Sequence, residues 1–230
     1  MSAKKSQQKR NKEMEKASSS EDSLVISYLT LRKAVGILGI ALPFVVSLGG
    51  MLIFHNDIQS SISSYYHTGM RDVFVGILWT IGFFLYSYKG YERIDNIAGN
   101  LACVFALGVS LFPTTADGST SPAAEFVGGV HLFFAALFFL TLVYFSLFLF
   151  TKTNLNKQST PEKLKRNIVY KVCAYVMFAC IVLMGIYHFL PDSAASYFEA
   201  AKPVYWLETL AILTFGISWL TKGEAILRDK

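Results

Sequence analysis

The segment FVGGVHLFFAALFFLTLVYFSLFLF, residues 126–150, contains no aspartate, glutamate, lysine or arginine. An α-helix rises about 1.5 Å per residue, so about 20 apolar residues are needed to cross the roughly 30 Å hydrocarbon core of a bilayer. A segment of this length and composition therefore predicts a transmembrane helix.

Five further windows are apolar and almost free of charge: residues 34–54, 73–88, 97–112, 169–190 and 204–220. Charged residues make up 16% of the chain, whereas soluble domains carry about a quarter. No segment between the windows is long enough to bury a core of its own. We therefore predict an all-α polytopic membrane protein, with six transmembrane helices in one bundle at residues 28–222.

The lysines and arginines predict the orientation, because cytoplasmic loops of membrane proteins are enriched in both. Eight lie before or at the start of the first window, two in the second connection, six in the fourth and three at the C terminus. Only Arg71 and Lys202 remain for the other side. Both termini are therefore predicted to be cytoplasmic, in a cell membrane that the compact size and bare loops suggest is a bacterial inner membrane. This topology accounts for the net charge of +5, so we predict no nucleic-acid partner.

The terminal segments differ in composition from the spans. Residues 1–27 are rich in lysine, glutamine, serine and glutamate, a composition typical of disorder. We predict a disordered basic cytoplasmic tail there and a short cytoplasmic tail at residues 223–230. Cys103, Cys173 and Cys180 all fall inside predicted spans, so the sequence indicates neither a disulfide framework nor a zinc-binding cysteine pattern.

Ionisable side chains are costly inside a membrane and indicate a functional site by default. Under the predicted topology they form one layer near the outer surface, around the polar stretch SSISSYYHTGMRD at residues 60–72. The candidate catalytic residues are His131, Glu208 and Asp72. The candidate ligand-binding residues are Arg71, His67, Ser61, Ser63, Tyr66 and His188.

Three accounts of this layer remain open. Histidine and carboxylate ligands suit zinc, which activates water for hydrolysis, although the chain has no H-x-x-x-H or H-E-x-x-H spacing and we assign no metal ligand. Alternatively, Arg71 holds a phosphate or carboxylate head group while a histidine transfers protons. In the third account His131 and Glu208 only form hydrogen bonds that stabilise the bundle. A serine hydrolase using Ser61 or Ser63 is disfavoured, because the chain lacks a G-x-S-x-G motif.

The stretch Ser61-Ile62-Ser63, followed by Arg71 and Phe74 on the next helix, resembles the FRAG/DRAM/SFK family of six-span membrane proteins. That family includes GPI-anchor remodelling proteins and autophagy modulators. The resemblance implies a histidine early in the fourth span and a polar or acidic residue in the last, which here are His131 and Glu208. Residues 65–72, 95–100 and 111–114 are also similar to a group of bacterial proteins of unknown function. The resemblance to the FRAG/DRAM/SFK family implies lipid-related work in a membrane.

We therefore expect an outward-facing pocket between the second, fourth, fifth and sixth spans that binds a lipid head group or another amphiphile. One alternative is a lipid-modifying hydrolase or acyltransferase that depends on a metal or on a histidine and a carboxylate. A small-molecule transporter is the other alternative. The expected partners are membrane lipid and, weakly, a second copy of the chain; no cofactor is assigned, with zinc as the open alternative.

Overall fold

The computed structural model describes residues 2–90, 92–152 and 160–227, and the side chains from residue 28 onwards except that of residue 192. The helices are α1 (Ser2–Phe54), α2 (Arg71–Tyr86), α3 (Arg93–Leu111), α4 (Pro122–Tyr144), α5 (Pro161–His188), α6 (Asp192–Glu199) and α7 (Pro203–Lys222). A short 3₁₀ helix, Ser63–His67, precedes α2, and a π-helix, Phe145–Leu149, continues α4. The predicted all-α class is confirmed for the described residues. The prediction of disorder concerns residues 1–27, whose side chains lie outside the described part, and stays a prediction.

Five helices are long and apolar enough to cross a membrane, as judged over the described residues: Tyr28–Phe54, Arg93–Leu111, Pro122–Leu149, Pro161–His188 and Pro203–Lys222. They cover five of the six predicted windows to within two residues at the C-terminal end. The window at 73–88 falls on α2, whose 16 residues give a length of only about 24 Å. The polytopic membrane class is therefore supported, whereas α2 is short for an independent span.

Small residues allow close contacts between three pairs of helices. A Cβ atom on Gly36 of α1 would lie 2.9 Å from the backbone oxygen of Gly216 of α7. A Cβ atom on Gly99 of α3 would lie 2.6 Å from the backbone oxygen of Leu85 of α2. The third small-residue surface is a stripe on α3 with a small residue at every fourth position, which is buried throughout: Ala98, Ala102, Ala106 and Ser110. Ala106 of the stripe faces Gly82 of α2, and a Cβ atom on Gly108 of α3 would lie 2.3 Å from the Phe134 ring of α4. Small residues on α3 therefore let both neighbours approach closely, as they do in membrane helices.

The helix ends and the connections between them form two groups at opposite ends of α7. We name these groups the Glu208 end and the Lys222 end. The Glu208 end contains residues 55–70, 112–121 and 189–208. The Lys222 end contains the described residues 28–33, 85–90, 92–95, 149–152, 160–170 and 219–227. The two name-giving residues lie 14 positions apart on α7, or about 21 Å at helical rise.

A carboxylate network holds the connections together at the Lys222 end. The ammonium of Lys152 lies 2.7 Å from Asp95 Oδ1 and 2.9 Å from Glu92 Oε2. Asp95 Oδ2 accepts the backbone N–H of Glu92, which completes a capping box at the start of α3. Burial works against the charge on Lys152, but the hydrogen bonds and attraction to both acids outweigh it and raise the pKa of the ammonium. The network ties the α2–α3 connection to the segment after the π-helix.

Candidate functional site

Glu208 connects α7 to the polar loop that precedes the 3₁₀ helix. Its Oε2 atom accepts the backbone N–H of Ile62 at 2.6 Å and that of Ser63 at 3.3 Å. The other carboxylate oxygen, Oε1, has one longer hydrogen bond, from the Ser63 hydroxyl at 3.4 Å. The side chain is half-buried, and backbone N–H groups at a helix start favour a negative group. The carboxylate therefore fixes the loop on α7 and keeps acceptor capacity on Oε1.

Other residues of α7 and the loop hold the same contact in place. The backbone N–H of Tyr205 donates to Ser60 O at 3.1 Å, and the Tyr205 hydroxyl hydrogen-bonds Ser47 of α1 at 2.8 Å. The ammonium of Lys202 donates to the carbonyl of Ile58. These bonds place the carboxylate of Glu208 beneath the loop with little freedom to move. Sequence reasoning missed all of them, because the partners lie far apart in the chain and two of the three bonds use backbone carbonyl groups.

His131 is buried in a separate contact. Its side chain is 2% exposed, and its Nδ1 atom lies 2.7 Å from Phe112 O and 3.1 Å from Val109 O. Carbonyl oxygens only accept, so the Nδ1 atom carries the proton and donates. His131 thus satisfies two carbonyl oxygens at the C-terminal end of α3, where helix carbonyls lack intrahelical partners.

His67 also contacts the connection between α3 and α4. Its Nε2 atom lies 2.7 Å from Thr114 O, and the Ser60 hydroxyl donates to Asp117 Oδ1 at 3.0 Å. Thr115 packs closely against the start of α4, because a Cβ atom on Gly128 would lie 2.0 Å from its hydroxyl oxygen. The connection from α3 to α4 is therefore held by two histidines and by close packing.

The remaining predicted residues lie outside these contacts. Arg71 and Asp72 are exposed and pair with each other, with Nε and Oδ1 3.2 Å apart. His188 is exposed at the end of α5 and contacts the ring of Phe189. Tyr66 is half-buried against the ring of His67.

The structure brings together only part of the predicted site. Ser61 is buried and hydrogen-bonds Ser64 within the loop at 2.8 Å, next to the contact between Ser63 and Glu208. Among the described residues, His131, Asp72 and Glu208 form no hydrogen bond or ion pair with one another. The layer is therefore composed of separate contacts, and the Glu208 contact is the part that borders a cavity.

That cavity lies between α1, α2, α3, α4 and α7, beneath the loop, and has a volume of about 40 Å³. Its polar lining consists of Glu208 and Ser63. The apolar lining comes from Gly39, Leu42, Ile62, Phe74, Leu78, Ile81, Val109, Ala135, Phe138, Phe139, Leu142, Ile212 and Phe215. α5 contributes no lining residue, in contrast to the expected pocket between the second, fourth, fifth and sixth spans.

No group of three or more histidine, cysteine, aspartate or glutamate side chains in the described part of the chain is arranged to hold a metal ion. Zinc therefore stays an untested alternative, with no ligand set assigned.

The fold defines an all-α membrane protein with several candidate spans and a carboxylate at the edge of an apolar cavity. Comparisons with protein-family models, curated proteins and solved structures found no match. The resemblance to the FRAG/DRAM/SFK family stays a prediction.

Proposed function

We propose that this chain is a six-span membrane protein of the cell membrane that binds an amphiphile in the cavity beside Glu208. The ligand class is an alkyl chain with a head group that donates hydrogen bonds, namely an amine or a hydroxyl. The observation that carries the proposal is the lining of the cavity, which is apolar except for one carboxylate and one hydroxyl at one end.

The polar end favours a donor over an anion. A carboxylate offers about four acceptor positions, and Glu208 uses three of them, two on Oε2 and a long one on Oε1. A ligand amine or hydroxyl would donate a hydrogen bond to the remaining acceptor position of Oε1, whereas a phosphate or carboxylate would be repelled by the carboxylate. The earlier expectation that Arg71 binds an anionic head group gains no support here, since its guanidinium is exposed and paired with Asp72.

The apolar part favours an alkyl chain over a polar solute. The walls below Glu208 are aliphatic and aromatic side chains from five helices, and burying one methylene group contributes about 0.8 kcal/mol. At about 40 Å³ the cavity has room for a few water molecules, so it would have to widen to accept an alkyl chain. Binding would require α4 to move outward at Phe138 and Leu142, which form its inner wall.

Antiparallel packing of α2 on α3 supports a sixth span. Gly82 of α2 faces Ala106 and Gly99 of α3 faces Leu85, while His67, before α2, contacts Thr114, after α3. α2 therefore accompanies α3 from one end of the helices to the other. If α3 crosses the membrane, α2 crosses it as well, with its polar flanks at the two surfaces. With six spans both termini share one side, which the positive-inside rule makes the cytoplasm.

The sequence left two alternatives open, a lipid-modifying enzyme and a transporter. No observation among the described residues specifically supports either one. His131 has its Nδ1 proton engaged by two carbonyls and does not contact Glu208 in the described structure.

A photoactivatable long-chain amine tests the proposal on the full chain in neutral lipid nanodiscs. We expect crosslinks to the cavity-lining helices that unlabelled amine competes away, and at least tenfold weaker labelling by the matching long-chain acid. Leu142→Trp fills the cavity and should abolish the labelling. Leu140→Trp is the matched control, because Leu140 lies on the same helix but is 41% exposed. Equal labelling of both variants, or equal labelling by amine and acid, would contradict the proposal.

A further inference from the structure

The Lys222 end gathers four positively charged side chains. Arg32, Lys163 and Arg166 each lie near enough to Lys222 for their charge to repel its ammonium. The four come from α1, α5 and α7, so the contact is tertiary and not a run along one helix. We call these four residues the basic cluster.

Aromatic rings support the basic cluster on one side. The ammonium of Lys222 lies 5.3 Å from the centre of the Phe150 ring, and that of Lys163 donates to Phe150 O at 2.7 Å. The guanidinium of Arg32 lies 5.5 Å from the ring centre of Tyr88, and Tyr88 packs on Phe150. The cations are thus held around one aromatic group at the helix ends.

The nearby acid does not neutralise the basic cluster. Asp95 is the acid whose attraction reaches Lys222 among the described residues. Both of its carboxylate oxygens are engaged, Oδ1 by the ammonium of Lys152 and Oδ2 by the backbone N–H of Glu92. Among the described residues no acid forms an ion pair with Arg32 or Lys222.

Two members of the basic cluster keep free hydrogen-bonding capacity. The Nε atom of Arg32 is buried without a hydrogen-bond partner in the described structure. Lys222 contacts the Phe150 ring, and no described residue accepts a hydrogen bond from its ammonium. A buried donor without a partner has a free-energy cost, because it loses its hydrogen bonds to water and gains none in the protein. An anion between these side chains would remove both that cost and the repulsion.

We propose that the basic cluster is a binding site for a phosphate group, as carried by an anionic membrane lipid. The positive-inside rule explains why cations lie on this side, but it does not require four of them to converge. Phosphate oxygens match arginine and lysine donors well, and basic pockets between spans at this face are suited to anionic lipid head groups. The site is separate from the Glu208 cavity and independent of the function proposed for it.

The test compares melting temperatures of the full chain in nanodiscs made of phosphatidylcholine alone or with phosphatidic acid added. We expect the anionic lipid to raise the melting temperature. Lys222→Gln and Arg32→Gln should each weaken lipid affinity at least about fivefold, from a typical contribution near one kcal/mol per basic residue. Lys165→Gln is the matched control, because Lys165 is exposed on α5 at the same end and the change in charge is identical.

A second readout separates binding from a structural role. Because the cations repel one another, Lys222→Gln should keep or raise the melting temperature in phosphatidylcholine alone while it loses the response to phosphatidic acid. Lys222→Arg should retain the response. Glycerol phosphate added to the neutral nanodiscs distinguishes the source: if it stabilises with the same dependence on Lys222, the site accepts soluble phosphate as well. Equal losses in Lys222→Gln and Lys165→Gln, or an unchanged response in Lys222→Gln, would overturn the proposal.

Discussion

Glu208 combines two roles at the scale of a single residue: it holds a loop by backbone hydrogen bonds and forms the polar end of a cavity. Glu208→Ala removes the acceptor of the Ile62 and Ser63 N–H groups. Each buried donor left unpaired costs about 1–3 kcal/mol, so we expect the free energy of unfolding to fall by about 2 kcal/mol or more. Thermal unfolding in nanodiscs measures the change. Glu208→Gln should lose less, because its amide oxygen accepts one of the two bonds.

Glu199→Ala is the control for this change, since Glu199 is exposed near the same end of the helices. We expect it to leave the melting temperature unchanged. If both alanine variants unfold at the same temperature as the original chain, the carboxylate does not hold the loop in solution.

His131 provides the second prediction at this scale, and it separates a structural role from a catalytic one. His131→Ala leaves two carbonyls at the end of α3 without their donor and creates a cavity, so we expect a loss of about 2–4 kcal/mol. His188→Ala should have little effect, because His188 is exposed. Amine binding at the Glu208 cavity should survive in any folded His131→Ala sample. If His131→Ala is as stable as the original chain, the hydrogen bonds from His131 to Val109 and Phe112 do not stabilise the end of α3.

Residue identities could be predicted from the sequence better than their contacts. The polarity of His131, Glu208 and Ser63 inside apolar surroundings marks them as unusual, and each makes buried or half-buried contacts. Their partners could not be predicted, because Ile62, Val109 and Phe112 contribute backbone atoms, which carry no side-chain signal. Arg71 and Asp72 were expected in the pocket because they are charged beside a span, but a residue at a helix start can face outward and pair locally.

Close helix contacts at the scale of elements give a prediction with an internal control. Gly99→Ala places a Cβ atom 2.6 Å from Leu85 O of α2, a distance that forces the two helices apart. We expect a loss of about 1–3 kcal/mol, as for other overpacked contacts. Gly129→Ala lies in α4 with open space around the position, so it should stabilise the helix by up to about 1 kcal/mol. Thermal unfolding of the two variants should shift in opposite directions; a shift in the same direction would exclude the close contact between α2 and α3.

Hydrophobic windows predicted the long helices well, because a charge-free run of about 20 residues is stable in few structures other than a membrane-spanning helix. The buried stripe on α3 was also predictable, since alanine and serine recur at every fourth position. The π-helix at Phe145–Leu149 was not. It aligns Ser146 with Ser218 of α7 at 2.8 Å, a match that depends on the neighbouring helix and not on the local sequence.

Topology at the scale of the whole molecule depends on whether α2 crosses the membrane. Both flanks of α2 are fixed by contacts at opposite ends of the helices: His67 contacts Thr114, after α3, at one end, and Lys89 contacts Tyr28 of α1 at the other. A helix of about 24 Å can cross when its polar flanks reach the two surfaces or the bilayer thins locally. Length and composition support five spans among the described residues, and the packing of α2 on α3 is the argument for the proposed sixth.

Cysteine labelling decides between five and six spans, since the three native cysteines are buried and can be replaced by alanine. Asp57 precedes α2, Arg93 follows it, and both are exposed. With six spans, Asp57→Cys should react with a membrane-impermeant maleimide added to intact cells, while Arg93→Cys should react only after the cells are opened. Thr120→Cys, also exposed, should behave like Asp57→Cys because α2 and α3 together return the chain to the same surface. If α2 does not cross, Asp57→Cys and Arg93→Cys will share one side and Thr120→Cys will lie on the other. That result would place the two termini on opposite sides and remove the six-span arrangement on which the proposed orientation depends.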